Sequence, residues 1–393
     1  MKYIFYLLPG LLNIVISLFS FITTKRLADA GASSFAVTSA IPTWAVTYTA
    51  ASFLIGRWAS RENAVKLTIF SQIILTGSMI GLLFSTSVDL QYLWLVLSGL
   101  GTGLFFVPFQ AVVKLFEKEE LSAVTFARST AIYTASWSSG QAVGPLIAAL
   151  LWGCFDPAYG WRYCYMVCVV IVSIVILTLI IMNKFIRQRL QEERAAQQSS
   201  DSVRQSQANT MPDVMLTAWI LALGGMLALT AMRSYLPDFA TKELALPVSS
   251  QGIMLGVLSL TQALTALSCI KTRKWPYRPW GGSIGAAAAV AAMLTLTVAG
   301  SSVAAWAATG LFGIFSGIFC YNMTYHALAN ARHSARYAAV NETIVGSMSI
   351  LAPLGAGFLA DTTNARMPFY LLAATTTLTA VIFIRMLWQH RKI

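Results

Sequence analysis

The feature that most constrains the fold is a series of long stretches without a single Asp, Glu, Lys or Arg. A helix needs about 20 apolar residues to cross the hydrocarbon of a membrane. One stretch, 279–331, is too long for a single crossing, and Gly300-Ser301-Ser302 divides it into two helices. The pattern therefore predicts an all-α membrane protein with twelve transmembrane helices. The stretches are 3–24, 30–56, 67–88, 90–113, 129–155, 163–183, 214–232, 244–270, 279–331, 343–360 and 367–384.

The composition excludes the main alternatives. A membrane β-barrel would show short segments of alternating hydrophobicity, whereas helices satisfy their own backbone hydrogen bonds in lipid. Only 11% of the residues are charged, against about 25% in soluble domains. The net charge of +12 would suggest nucleic acid in a soluble protein. Here the charges form short clusters between apolar runs, so we expect the lipid bilayer, and no nucleic acid, as a partner.

The distribution of basic residues predicts the orientation. When the N-terminus is placed in the cytoplasm, 21 of the 27 Lys and Arg residues fall in the inner segments. Cytoplasmic loops of membrane proteins carry such an excess. We therefore expect a multi-pass protein of the cell membrane, inner or plasma, with both termini in the cytoplasm. The run from Tyr3 to Thr24 is longer than a signal-peptide core, so it is interpreted as the first membrane helix.

A polar segment divides the chain into two sets of six helices. It contains Arg, Glu and Gln clusters and suits a flexible linker, with an amphipathic start as an option. We predict an N-terminal six-helix bundle over 1–183, a cytoplasmic linker over 184–213 and a C-terminal six-helix bundle over 214–393.

An internal repeat relates the two sets. Arg128 precedes Pro145 by 17 residues, and Arg336 precedes Pro353 by the same distance, 208 residues later. The tetrapeptide Thr-Gly-Leu-Phe occurs in the fourth and tenth helices, at 102–105 and 309–312. Parallel six-helix halves related by an axis along the membrane normal are a transporter design, with the substrate site between them.

Two motifs resemble those of the major facilitator superfamily. The loop after the second helix, Gly56 to Lys66 with Arg61, is similar to the family's glycine-x-x-x-aspartate-arginine loop, although Ser60 replaces the Asp. In the fifth helix, Gly140, Gly144 and Pro145 resemble the family's antiporter motif.

Both motifs have simpler interpretations, as a positively charged turn and as plain helix packing. We expect these residues and Pro353 to serve gating or conformational change. The family's intramembrane Arg of the fourth helix is Leu95 here, which weakens any carry-over of proton-coupling chemistry.

The resemblance implies a secondary active transporter of a small organic solute that works by alternating access. It points towards the drug and metabolite antiporter branches, with export favoured over import and proton coupling as one option. The alternative is a non-transporting membrane sensor or scaffold that keeps the same fold. We expect a monomer.

Polar and aromatic residues inside the membrane are the candidate site residues, because such groups are costly there unless they serve a function or pair with one another. The substrate-cavity candidates are Asn13, Trp44, Tyr48, Gln110, Tyr133, Trp137, Gln141, Arg233, Gln262, Tyr321 and Asn322. Arg233 either binds an anionic group or extends to the outer headgroups. Glu342 is the coupling candidate, with a structural ion pair as the alternative.

No motif indicates catalysis, a metal or a cofactor. The three histidines have no metal-ligand spacing, and no phosphate-binding Gly-Lys loop or Gly-x-Ser-x-Gly element is present. We therefore expect no enzymatic activity and no direct use of ATP.

Cys154 and Cys164 flank one short loop, so a disulfide between them is one interpretation. The simpler interpretation is that both are small apolar residues in helices.

Overall fold

The computed structural model describes residues 2–58, 63–114, 123–156, 158–199, 213–271, 275–329 and 334–390. Its regular structure is entirely helical over these ranges, which confirms the predicted all-α fold with twelve helices. The helices are α1 Lys2–Asp29, α2 Ser34–Trp58, α3 Ala64–Phe84, α4 Leu90–Lys114, α5 Ala123–Leu150, α6 Gly160–Ser199, α7 Met215–Lys242, α8 Val248–Ser268, α9 Pro279–Val298, α10 Ser302–Ala329, α11 Ser334–Thr362 and α12 Met367–His390.

Within the described residues, ten of the twelve helices are long and apolar enough to cross a membrane. The other two are α2 and α4, and the described apolar part of α4 is Leu90–Phe106. Large apolar side chains such as Phe70, Leu177 and Phe358 are more than half exposed. A soluble protein would bury such residues, so this surface is suited to lipid. The chain is a multi-pass membrane protein.

The packing of the helices repeats with a shift of six. In the first half α1 packs on α5 and α6, α2 on α4, and α3 on α4 and α6. In the second half α7 packs on α11 and α12, α8 on α10, and α9 on α10 and α12. The same scheme of neighbours therefore occurs twice, as the sequence repeat predicts.

The duplicated tetrapeptide occupies equivalent positions. Gly103 lies against α2, where an added Cβ atom would sit 2.5 Å from the Tyr48 carbonyl oxygen. Gly310 lies against α8, where an added Cβ would sit 3.2 Å from Val257. Small residues allow this close helix approach in membranes, where apolar burial alone does not drive helices together.

The halves meet mainly along two helix pairs, α5 with α8 and α2 with α11, and less extensively between α1 and α7, α2 and α7, and α5 and α10. The first contact is tight, because a Cβ atom at Gly252 of α8 would lie 2.3 Å from the Pro145 carbonyl oxygen of α5.

Helix α6 extends to Ser199, so the first sixteen residues of the segment predicted as a linker are helical. Its remaining residues except Asp213 lie outside the described ranges.

The glycines of the fifth-helix motif face α1 within their own half. A Cβ atom at Gly140 would lie 2.1 Å from the Gly10 carbonyl oxygen, and one at Gly144 would lie 2.1 Å from the Ser17 hydroxyl. Helix α5 thus contacts α1 through its glycines and α8 through its proline.

This geometry predicts that Gly140→Ala destabilises the protein. The clash is with backbone, which cannot rotate away, and overpacking of this kind costs about 1–3 kcal/mol. Thermal unfolding of detergent-purified protein should show a Tm several degrees below wild type. Gly355→Ala is the matched control, since nothing lies within 4 Å of its added Cβ, and its Tm should be unchanged or higher. Equal Tm values for the two variants would contradict the packing described.

Candidate functional site

A cavity of about 270 Å³ lies between the two halves, lined by residues of α1, α2, α4, α5, α7, α8, α10 and α11. Eight of the predicted site residues line it: Asn13, Trp44, Tyr48, Tyr133, Trp137, Gln141, Arg233 and Glu342. On α5 the lining residues are spaced by four, at Tyr133, Trp137, Gln141 and Pro145. This spacing places them on one helix face, which therefore faces the cavity.

Aromatic rings form one wall. The Trp44 and Tyr48 rings stack with centroids 4.8 Å apart, and Phe106 meets Tyr48 edge-on at 6.4 Å. The Trp44 indole N–H donates to the Thr102 hydroxyl at 3.3 Å, which fixes the ring against α4. The wall is therefore apolar and held in a defined orientation.

Glu342 contacts the opposite half of the protein. The Tyr48 hydroxyl donates to Glu342 Oε2 at 3.0 Å and so joins α2 to α11. Among the described side chains Glu342 has no ion-pair partner. The alternative of a structural ion pair therefore finds no support in the described part of the chain.

Arg233 projects into the bundle rather than towards lipid headgroups. Its Nη2 donates to Gln262 Oε1 at 3.1 Å and to the Ser259 hydroxyl at 3.4 Å. Both partners are neutral, and no carboxylate among the described residues forms an ion pair with this guanidinium. The cavity wall thus carries a cation that is hydrogen-bonded but has no described counter-ion.

Gln262 lies behind the cavity wall. Its side chain is fully buried, and it is not among the lining residues. Its Nε2 donates to the Ser138 hydroxyl of α5 at 2.7 Å, and its Oε1 also accepts from the Ser316 hydroxyl at 2.7 Å. This one amide holds Arg233 in place and links the two halves.

A second polar pair lies in the first half. The Gln141 Nε2 donates to Asn13 Oδ1 at 3.2 Å, and the Asn13 Nδ2 donates to the Pro9 carbonyl at 2.8 Å. The Gln141 Oε1 is buried without a hydrogen-bond partner. A buried acceptor of this kind costs free energy unless a ligand or water supplies a donor.

Tyr321 and Asn322 are buried elsewhere. Tyr321 stacks between Trp275 and Tyr325, at 5.6 Å from each ring. This aromatic stack packs on Ala127 and Ala131 of α5, so it is a contact between halves. Asn322 is 2% exposed, and neither residue lines the cavity.

Some motif residues cannot be placed. The Gln110 side chain, Ser60 and Arg61 lie outside the described residues, and Gly56 is placed only as part of α2. Pro353 is buried within α11. Cys154 and Cys164 are both free, the first exposed and the second buried.

Hydroxyl groups that are not among the predicted site residues also line the cavity. Ser17, Ser20, Thr230, Ser259 and Ser349 all line it. Ser and Thr also occur throughout membrane helices as internal hydrogen-bonding groups, so their residue type alone carries no signal.

Successive helices cross in opposite directions, so after twelve helices both termini of the described chain lie on the same side of the bundle. We call this side the terminal end. At the opposite end Asp361 of α11 accepts hydrogen bonds from the backbone N–H groups of Ser34 and Phe35, at 3.0 and 2.8 Å. A carboxylate satisfies the unpaired donors at the start of α2 and complements its dipole. An acid of one half therefore caps a helix of the other.

Asp238 and Lys242 add to the same contact. Asp238 is 1% exposed and accepts from the Ser34 hydroxyl at 2.5 Å. The Lys242 Nζ lies 2.8 Å from Asp238 Oδ1 and donates to the Ala32 carbonyl at 2.8 Å. We call this set, Ala32, Ser34, Phe35, Asp238, Lys242 and Asp361, the opposite-end latch.

Comparison with known proteins gives two findings. The family model described as Major Facilitator Superfamily matches residues 5–353. A solved structure, described as a bacterial homolog to the human lysosomal transporter Spinster in an inward-facing and unoccupied conformation, aligns over 100% of this chain and 97% of that one. Its TM-score is 0.69 at 13% sequence identity, which supports the fold. No curated protein matches the chain.

The latch predicts a stability effect of Asp238→Ala. The change removes the acid that accepts from the Ser34 hydroxyl and pairs with Lys242, whose side chain is 34% exposed. Loss of a hydrogen bond to a charged group costs about 1.5–3 kcal/mol. Thermal unfolding should show a markedly lower Tm. The exposed loop residue Asp89 provides the control, because Asp89→Asn should leave the Tm within error of wild type. A wild-type Tm for Asp238→Ala would show that the latch does not hold the halves together.

Proposed function

Because the chain belongs to the major facilitator superfamily, a family of secondary transporters and not of enzymes, we propose that it carries a small organic solute through the central cavity by alternating access. The observation that carries the proposal is the position of the cavity, which both halves line with polar and aromatic groups. A site between two related halves is what a rocking transporter needs. The volume of about 270 Å³ is near the lower limit of ligand pockets, so the solute is small.

In this proposal the opposite-end latch defines one conformation of the transport cycle. It joins α2 to α7 and α11, and in the proposed mechanism these bonds close that end of the cavity. If the termini are cytoplasmic, as the basic residues predict, this state admits solute from the cytoplasm. The similar solved structure is described as inward-facing. Movement of solute to the other side then requires the latch to open while the terminal end closes.

Helix α5 supplies the rocking surface in this mechanism. Its glycines hold it against α1 of its own half, so it moves with that half. Its proline carbonyl contacts Gly252 of the other half, and the side-chain atom nearest to that point is the small Ala149 Cβ. A smooth contact of this kind allows one half to rotate against the other. The resemblance of this segment to the antiporter motif supports export.

Glu342 is the proposed site of proton coupling. Among the described residues that line the cavity it is the only acid, and ionisable groups within membrane helices commonly mark ion or proton pathways. Its hydrogen bond to Tyr48 joins the halves. Gain or loss of a proton at Glu342 would change this bond, and thereby link protonation to the relative position of α2 and α11.

The proposal is tested in liposomes that contain a pH-sensitive dye and the purified protein. Addition of a transported solute should move protons in wild type. In Glu342→Gln this proton flux should fall at least tenfold, because the amide cannot carry a proton, while solute exchange without a gradient persists.

The control for this assay is Glu243→Gln, a change at an exposed acid after α7, which should behave as wild type. Proton flux retained in Glu342→Gln would rule out Glu342 as the coupling group. A broad solute screen without any movement would instead favour a non-transporting sensor or scaffold with the same fold.

A further inference from the structure

The cavity wall holds a cation with unused hydrogen-bonding capacity. Arginine carries five N–H donors, and the hydrogen bonds of Arg233 to described residues all use one nitrogen, Nη2. Its Nε and Nη1 atoms are not among the fully buried polar atoms without partners, and the residue is partly exposed and lines the cavity. These donors therefore face the cavity space.

Two acids of the same half, Asp238 and Glu342, form no ion pair with this cation. Asp238 is engaged by Ser34 and Lys242 in the opposite-end latch. Counted from the terminal end of each helix, Glu342 in α11 lies ten residues nearer to that end than Arg233 in α7. At 1.5 Å per residue this difference is roughly 15 Å. Glu342 is instead bonded to Tyr48. An unneutralised guanidinium at this depth is costly, and a ligand that supplies a negative charge would offset this cost.

The neutral partners of Arg233 fix the orientation of its guanidinium but do not neutralise its charge. Gln262 is held by Ser138 and Ser316, so its Oε1 is an immobile acceptor for the guanidinium. A guanidinium held by an immobile residue presents its remaining N–H donors in one fixed direction, and such pre-organisation favours the binding of an anion. A guanidinium that only reached for headgroups would need no such support.

Most of the remaining wall is apolar, although hydroxyl groups and the Gln141 amide also line it. The Trp44–Tyr48 stack, Trp137 and Phe106 present ring faces and edges. Leu229 and Leu255 line the cavity near the arginine. The matching ligand therefore carries one anionic group and an apolar body.

We infer that Arg233 is the anion-binding residue of the cavity and that the solute is a small organic anion, with a carboxylate or phosphate on an aromatic or aliphatic body. That the ligand is a transported solute rests on the proposed function, whereas its negative charge is inferred from the cavity alone. The carboxylate or phosphate accepts hydrogen bonds from Nε or Nη1, the atoms that Gln262 and Ser259 leave free, and its body lies on the aromatic wall.

The test uses purified full-length protein in detergent and six matched probes. Naphthalene-2-carboxylate and decanoate are the anions, their primary amides are the neutral analogues, and naphthylmethylammonium and decylammonium are the cations. Thermal shift and calorimetric titration should show that the anions bind and raise the Tm, whereas the amides and cations do so at least tenfold more weakly. Equal binding of all three classes, or no binding of either anion, would overturn the inference.

Variants separate the charge of Arg233 from the fold. Arg233→Gln should weaken anion binding at least about thirtyfold, the lower end for loss of one partner of a buried charge pair, and should remove the preference for anions over amides. Arg233→Lys keeps the charge without the planar fork, so it should retain the preference with weaker affinity. If Arg233→Gln does not fold, the Lys variant and the six probes on wild type still decide the question. Arg187→Gln, at an exposed position of α6, is the control.

The outcome is independent of the liposome assay. Binding is measured without a gradient, so anion binding lost in Arg233→Gln stands even if no solute moves. Transport of a neutral solute that is unaffected by Arg233→Gln would leave the proposed function intact and overturn the inference.

Discussion

The close approach of α5 to both α1 and α8 is the contact on which the rest of the structure depends. Gly140 and Gly144 bring the α5 backbone against α1, and the Pro145 carbonyl meets Gly252 of α8. Lipid gives helices no apolar reason to associate, so contacts of backbone on backbone and a few polar bonds must hold them. The same helix turns Tyr133 and Trp137 towards the cavity, so packing and site are set together.

Polar bonds between the halves are placed at three depths. The opposite-end latch joins α2 to α7 and α11, the Gln262–Ser138 bond joins α8 to α5, and the Tyr48–Glu342 bond joins α2 to α11. Each consists of few bonds, and such bonds in membranes are individually modest. A structure held in this way can exchange one set of contacts for another without large cost, which is what a transporter of this family requires.

The sequence correctly predicts those features of the fold that a local physical rule determines. Apolar length predicts the helices, and the repeat of Arg128–Pro145 and 102–105 predicts the duplicated packing that the structure has. Prediction of the site was less complete. Gln262 and Tyr321 are polar residues in mid-membrane, yet they face helix contacts rather than the cavity, because residue type does not specify which face of a buried helix is open. The helical extension of α6 to Ser199 falls in a segment whose polar composition suggested a flexible linker.

The sequence by itself determined that the chain crosses a membrane as helices, because backbone groups in lipid must be bonded within each segment. It also determined the duplicated halves and the family resemblance. Only the tertiary structure decided which polar residues meet. It placed Asp361 at the start of α2, 327 residues from Ser34, and it gave Arg233 neutral partners instead of an acid. Pairings between distant helices follow from how the halves pack, and no local pattern encodes them.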